Sequence, residues 1–244
     1  MFRSALRAVF VRAPASRVSS IPAKCISPRV FDVRLHRSFT SAPSPSKCPQ
    51  CSAPLPTPLP ACPKCQYINR VPSTASYYEL LGIKAGTNPF TVDAIALKRH
   101  FLQEQRVCHP DTWSGQPKEK KDLADHMSSL VNEAYKTLLD PLRRIQYILK
   151  LEGYETSESD QLDDPELIME VMEEREQLEE ASEQEQVEEI KSRNQGKINN
   201  TTTEIEHLVG SRNWDEARKA AIRLKYLQGI HDAAQAWPNS LFDH

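Results

Sequence analysis

The 244-residue chain has seven glycines, and none of them is arranged as a glycine-rich phosphate loop. No apolar run approaches the roughly 20 residues that a helix needs to cross a bilayer. Apolar residues make up only 39% of the chain, no segment alternates with the period of two that marks a half-buried strand, and no internal repeat is present. These absences exclude a phosphate-cradling loop and a helical membrane span. They leave a mostly helical chain of one or two small domains plus tails. Acids are missing from one region above all. Residues 1–40 carry eight bases (Arg3, Arg7, Arg12, Arg17, Lys24, Arg29, Arg34 and Arg37) and a single acid, Asp32.

That leader is rich in Arg, Ser and Ala, the composition of a mitochondrial transit peptide. A helix over Met1–Arg12 sets Phe2, Leu6, Val9 and Phe10 against Arg3, Arg7 and Arg12. An energised membrane would draw such a charged helix inward. Residues 1–40 are read as that peptide, with Arg37-Ser38-Phe39-Thr40-Ser41 as the processing region. The alternative is a disordered basic tail for nucleic acid or anionic lipid. The remainder holds 23 bases against 32 acids, a net of −9, which argues against nucleic acid as a partner because phosphate binding needs a basic surface.

Proline, of which the chain has 18, is concentrated toward the N-terminus. The segment 41–76 is Pro-rich and contains four of the six cysteines, as Cys48-Pro49-Gln50-Cys51 and Cys62-Pro63-Lys64-Cys65. A two-residue gap lets both thiolates of a pair reach one ion, and zinc takes four such soft ligands in a tetrahedron. Cys48, Cys51, Cys62 and Cys65 are therefore read as a structural zinc knuckle. Two disulfides, a redox dithiol and iron ligation are the alternatives. The ten residues between the pairs have few large apolar side chains, so the metal is expected to supply most of the folding free energy there. No fifth ligand or Glu-His pair suggests a catalytic metal. Cys25 falls in the leader, and Cys108 is read as helix packing.

Residues 77–153 read as four helices. Tyr77–Leu81 forms a short first one, and Asn88-Pro89 breaks the chain. Thr91 or Asp93 caps a second helix running to about Val107. Pro110 stops it, lacking an N–H and clashing with the preceding turn. A third helix spans Pro117 or Lys118 to Leu139. Asp140-Pro141 pairs an N-cap with a first-turn proline to open a fourth, which ends near Leu151 and Gly153. The order of Tyr77-Tyr78-Glu79-Leu80-Leu81-Gly82-Ile83, an amphipathic basic run Leu97–Arg106, the tripeptide His109-Pro110-Asp111 and a further amphipathic run ending Val131–Leu139 resembles a J-domain. That module stimulates ATP hydrolysis by DnaK-type chaperones. The resemblance implies that Asp111 accepts a charge-assisted bond from a chaperone arginine, that Pro110 fixes the loop and that His109 packs at the contact. It also implies that Lys98, Arg99 and Arg106 meet an acidic groove, steering orientation and on-rate more than affinity. Acid–base or metal chemistry at His109 and Asp111 is not expected. Their side chains flank a proline, need not converge, and have no third catalytic group beside them. Thr112 and Trp113 follow the tripeptide where many J-domains place a lysine, and the loop Ser114–Pro117 is short.

After a polar linker at 154–164, Asp164-Pro165 repeats the helix-start signature, and residues 165–238 read as a three-helix bundle. Leu167, Val171, Leu178 and Ala181 recur at helical spacing with Ile168 and Met172 beside them. From Glu155 to Glu189 there are sixteen acids and one base, Arg175, read mostly as a solvated face. A second helix from about Ile198 carries Ile205, Leu208 and Val209 to Gly210. Asn213 and Glu216 form a capping-box pair for the third, whose stripe is Ala217, Ala221, Leu224, Leu227 and Ala234. The fold class is thus all-α: a J-domain and a C-terminal three-helix bundle, preceded by a four-cysteine metal knuckle.

The segments from Tyr78 through Tyr147-Ile148-Leu149, and above all Asp164-Pro165-Glu166-Leu167-Ile168-Met169-Glu170-Val171-Met172-Glu173, resemble the HscB family of iron–sulfur cluster co-chaperones. The knuckle matches animal and some fungal members. The resemblance implies that the bundle holds an IscU-type scaffold protein through an apolar patch of Leu167, Ile168, Met169 and Met172, with charge from Glu173 and Glu176 and with Tyr226 completing the surface. A Met-rich stripe wider than one helix contact, beside an aromatic anchor, suits such a partner site, whereas Val171 and Leu178 are read as core. The function implied is that of a non-enzymatic co-chaperone of the mitochondrial matrix. Its rivals are a general J-protein of import or folding, a dithiol oxidoreductase and a zinc-knuckle nucleic-acid binder.

Overall fold

The structure, a computed structural model, describes residues 47–84, 86–154 and 165–237. The leader, its processing region, Cys25, residues 155–164 of the linker and the cap expected at Asp164 lie outside the described residues. The described residues form helices α1 (Tyr77–Leu80), α2 (Ala94–Cys108), α3 (Lys118–Leu139), α4 (Pro141–Leu151), α5 (Pro165–Glu180), α6 (Gln184–Gly210) and α7 (Trp214–Ala236). The only described sheet is a hairpin in the knuckle, β1 (Ala61–Cys62) paired antiparallel with β2 (Tyr67–Ile68). It adds two-residue strands to an otherwise all-helical expectation, too short to show an alternation in sequence.

Side-chain caps start α1, α2 and α4, whereas α3 follows Pro117 without one. Ser76 accepts from the Glu79 N–H while Glu79 reaches back to the Ser76 N–H at 2.7 Å. Asp93 accepts from the N–H groups of Ile95 and Ala96, and Asp140 from that of Arg143. Such bonds satisfy donors that have no partner inside the helix. Of the two caps considered for α2, Asp93 is the one used. Thr91 donates instead to Glu206 of α6 at 2.7 Å.

Helices α1–α3 enclose one core of Tyr78, Leu80, Leu81, Leu97, Val107, Cys108, Trp113, Ala124, Met127, Val131, Ala134 and Leu138. Burying each of its larger aliphatic side chains contributes roughly 1.5–3 kcal/mol before the cost of ordering. Cys108 is fully buried there, as packing requires, and burial pushes its thiol up to about 12. Tyr77 stacks on Tyr147 of α4 at 4.3 Å between centroids, and Phe101 of α2 on Tyr135 of α3 at 4.2 Å. The α4 face then turns the other way. Ile145, Ile148 and Leu149 share a second core with Phe90 and with Ile205, Val209, Ala217, Ala220, Ala221 and Leu224 of α6 and α7. Helix α4 therefore belongs to both halves. Arg144 ties it down, donating to the carbonyls of Leu138, Leu139 and Phe90 at 2.7–3.0 Å.

Two expectations for the bundle are corrected. Helix α6 begins at Gln184, not near Ile198. Val187, Ile190, Asn194, Thr201, Ile205 and Val209 are its buried residues, and the polar Asn194 and Thr201 interrupt what would otherwise read as one apolar stripe. Asn194 donates across the core to the Leu227 carbonyl at 2.8 Å, while its own Oδ1 is buried without a partner. Asn213 does precede α7, yet its side chain makes no capping bond, and Glu216 instead holds Lys219 at 2.8 Å.

Candidate functional site

The four cysteines converge. Their Sγ atoms all lie within 4.8 Å of one another, with Cys48–Cys65 at 3.5 Å and Cys51–Cys62 at 3.7 Å. Sulfurs about 2.3 Å from one ion in a tetrahedron are separated by about 3.8 Å, so the arrangement fits a single metal. The local backbone explains it. Each C-x2-C turn is followed by a residue in the left-handed region, Ser52 at φ 55° and Gln66 at φ 57°. The Cys48 carbonyl accepts from Ser52 and the Cys62 carbonyl from Gln66, both at 2.9 Å. Burial works against the charged form of Cys48, but N–H groups of Cys51 and Gln50 and the neighbouring thiols hold it down to about 7. Burial and the other thiols push its partner Cys65 up to about 12, so the favoured thiolate of this pair is Cys48.

The knuckle is not self-contained. Leu59, Ala61 and Ile68 are buried in the core of α1–α3. Gln103 of α2 donates to the Pro56 carbonyl at 3.2 Å, and Lys120 of α3 to the Gln66 carbonyl at 2.7 Å. Pro58 approaches Gly82 so closely that a Cβ there would sit 3.1 Å from its Cγ, and Gly82 also has φ +63°. Glu104 of α2 is 1% exposed beneath this strap. Burial pushes its carboxyl up to about 7, opposed by a hydrogen bond from Thr57. Neither the Leu59 anchor nor the Thr57–Glu104 contact was evident in a proline-rich segment. The one signal was the leucine itself.

Helix α2 ends at Cys108, and His109 turns extended at φ −59°, ψ 133°. Pro110–Trp113 then forms one 3₁₀ turn. The Asp111 N–H donates to His109 Nδ1 at 3.3 Å, and the Asp111 carboxylate lies 3.7 Å from the same nitrogen, so the two side chains face each other across Pro110. The Asp111 side chain is nonetheless 93% exposed. The departure at Thr112-Trp113 gains a physical role. Trp113 is buried, and its indole N–H donates to the Val107 carbonyl at 3.0 Å, anchoring the turn. Lys98, Arg99 and Arg106 are exposed on α2, and none is paired with a carboxylate among the described residues. They rim a groove between α2 and α3 that contains exposed Ile95, Leu102 and Leu139 with Tyr135. Those apolar members were not anticipated, although Ile95 and Leu102 each sit one turn from basic residues in the sequence.

On α5 the apolar residues divide. Leu167, Val171 and Leu178 turn inward against Val187, Ile190, Ile230 and Ala234. Of the four residues expected in the patch, Leu167 thus contributes mainly to the core, while also edging a groove with Met169, Glu170 and Glu173. Ile168, Met169 and Met172 are exposed, as are Glu173 and Glu176. Tyr226 is half-buried, packed against the Leu167–Leu178 cluster. One acid in the run is no part of a solvated face. Glu174 is 3% exposed, and its Oε1 accepts from Arg193 Nε at 3.1 Å and Lys197 Nζ at 2.5 Å. Its spacing seven residues after Leu167 and three after Val171 was the signal. Lys197 also meets Glu170 at 2.6 Å. Burial works against the lysine charge, but the bonds it donates to these two carboxylates hold its pKa above the ordinary value.

Known proteins match this arrangement. The family model described as the HSCB C-terminal oligomerisation domain matches residues 163–235. A human protein described as iron-sulfur cluster co-chaperone protein HscB is 33% identical over 172 residues, 70% of this chain and 72% of its own. The fission yeast J-type co-chaperone jac1, mitochondrial, is 35% identical over 144 residues, 58% of this chain and 63% of its own. The crystal structure of human co-chaperone HscB superposes with a TM-score of 0.67 at 30% identity, covering 78% of this chain and 97% of that one.

Proposed function

The chain belongs to the HscB family of J-type iron–sulfur cluster co-chaperones, and on that footing we propose that it binds an IscU-type scaffold protein through α5 and stimulates ATP hydrolysis by a mitochondrial DnaK-type chaperone. The observation that carries the reading is the exposed Asp111, held on a turn anchored by Trp113 beside the unpaired bases Lys98, Arg99 and Arg106. An anchored turn loses little entropy on binding. A chaperone arginine donating to Asp111 forms a charge-assisted bond, with Pro110 fixing the turn and His109 packing at the contact. The bases steer an acidic groove into register. At the other end, Ile168, Met169 and Met172 present adaptable apolar surface bordered by Glu173, Glu176 and Tyr226. The scaffold held there is brought to the chaperone, and hydrolysis locks the chaperone onto it and promotes transfer of the cluster. The cluster chemistry is the scaffold's, and the chain itself catalyses no reaction.

The remaining assignments accord with the same reading. Residues 1–40 direct the chain to the mitochondrial matrix, 41–76 fold as the knuckle around structural zinc, 77–153 act as the J-domain, and 165–238 act as the scaffold-binding bundle after a linker at 154–164. Single-turnover ATP hydrolysis by the chaperone tests the reading, with the chain added alone or with scaffold. His109→Gln is expected to abolish stimulation. Met172→Ala with Tyr226→Ala is expected to abolish only the added effect of the scaffold. Stimulation that ignores the scaffold would make the chain a general J-protein, and no stimulation by the unmodified chain would remove the chaperone assignment.

A further inference from the structure

Resting on the scaffold-binding reading of α5, we propose that Met169 and Met172 are a peroxide-sensitive modification site, and that their oxidation to methionine sulfoxide weakens scaffold capture. The chain has four methionines. Met1 lies outside the described residues, and Met127 is buried in the α1–α3 core at 1% exposed. Met169 and Met172 are 72% and 65% exposed. They stand three residues apart on one helix, so their side chains are neighbours on a single face. The structure thus sorts the described thioethers into one shielded sulfur and one accessible pair.

The chemistry needs only a hydroperoxide. The thioether sulfur attacks the terminal oxygen, the O–O bond breaks, and an S–O bond forms. Sulfur loses two electrons, the peroxide is reduced, and hydrogen peroxide leaves as water. An apolar side chain becomes a polar one with a strong acceptor. Its surroundings determine the consequence. Beside it on α5 stand the carboxylates Glu170, Glu173 and Glu176, which when ionised have no proton to donate, and Arg175, whose guanidinium is turned away toward Gly229 of α7. The nearest cation lining that groove from α6, Lys197, is held by Glu170 at 2.6 Å and Glu174 at 2.5 Å. Arg223 of α7 is held by Glu204 at 3.1 Å. A sulfoxide oxygen pressed against an apolar partner surface therefore stays unpaired and strongly disfavours the complex. The fold is unaffected, because Leu167, Val171 and Leu178 hold α5 from its other side.

The test uses the full chain and dilute hydrogen peroxide. Peptide mass mapping is expected to place one oxygen on each of Met169 and Met172 well before Met127. Affinity for an IscU-type scaffold is expected to fall about tenfold, and methionine sulfoxide reductases are expected to restore it. A chain with Met169→Leu and Met172→Leu is scored against its own untreated sample and is expected to be insensitive to peroxide, although it keeps every cysteine. Equal oxidation of Met127, undiminished binding after oxidation, or the same loss in the leucine variant would overturn the inference. If the untreated chain fails to bind scaffold, the scaffold reading itself falls, a result distinct from oxidation without effect.

Discussion

Among the described residues each half of the molecule buries one glutamate, and the two are handled in opposite ways. Glu104 in α2 lies against a neutral hydroxyl, that of Thr57, and burial pushes its carboxyl up to about 7. Glu174 in α5 lies against two cations, Arg193 and Lys197. In the first case the knuckle strap and α2 meet through a group that is comfortable only when protonated. In the second, α5 is tied to α6 by charge, because its inward apolar stripe is short. The N-terminal half thus covers its buried carboxyl with the knuckle strap, while the bundle pairs its own with two cations through one carboxylate oxygen, Oε1. Both arrangements leave the outward faces of α2 and α5 open for partners.

The two halves should part most sharply if the strap is removed. Structural zinc supplies on the order of 10 kcal/mol to units that fold around it. Chelation, or Cys62→Ser, is therefore expected to abolish amide protection over 48–68 and to open the cover over Glu104. Protection in α6 and α7 should persist. Hydrogen exchange checks this, and equal loss in both halves would show that the strap supports the whole molecule.

Removing the pin comes next. Glu174→Ala leaves Arg193 and Lys197 without their buried partner. Breaking a buried pair costs about 3–5 kcal/mol, and the partial exposure of both cations reduces that to about 2. Denaturant unfolding should register this loss, with α5 amides exchanging first. An unchanged midpoint would mean that the apolar stripe alone holds α5.

Glu104 predicts a pH dependence of defined sign. Its folded pKa of about 7 exceeds the ordinary value of 4.5, so between these values the unfolded chain ionises and the folded one does not. This contribution to stability is present below pH 4.5 and is lost as pH rises to about 7, amounting to about 3 kcal/mol. Glu104→Gln removes it. The stability of the glutamine variant relative to the parent should therefore rise between pH 4.5 and 7.5. A constant difference across that range would show that Glu104 is hydrated.

The same contrast explains what could be read from the sequence. In the N-terminal half the signals are local. Asp93, Asp140 and Pro141 mark helix starts within a few residues, and the four cysteines specify one cluster. In the bundle they are not. The first half of α6 is fixed by Asn194 reaching Leu227 across the core and by Glu174 arriving from α5, and Asn194 does not announce burial in its own neighbourhood. Leu59 is a similar case, an isolated apolar residue among prolines that finds its partners on α2 and α3. Of the α5 patch, the exposed Ile168 and Met172 were legible from their excess over a single stripe and Met169 only from the family resemblance, while the inward turn of Leu167 depends on where α7 lies.

The smallest expected effect isolates this difference between local and distant encoding. Asp140 caps α4 through a bond to the Arg143 N–H at 2.9 Å, whereas Asn213 stands in the equivalent place before α7 with no such bond. An aspartate cap replaced by alanine typically costs about 1 kcal/mol. Asp140→Ala should therefore lower stability by that amount, and Asn213→Ala by no more than about 0.3 kcal/mol, since only its intrinsic preference is lost. Thermal unfolding of the two variants side by side measures the gap. Equal costs would mean that Asn213 caps α7 in solution after all, and that the start of this helix is written locally. The predicted inequality would mean that α7 begins where Trp214 and Ala217 meet the apolar face of α4 and α6, a signal that no short stretch of sequence contains.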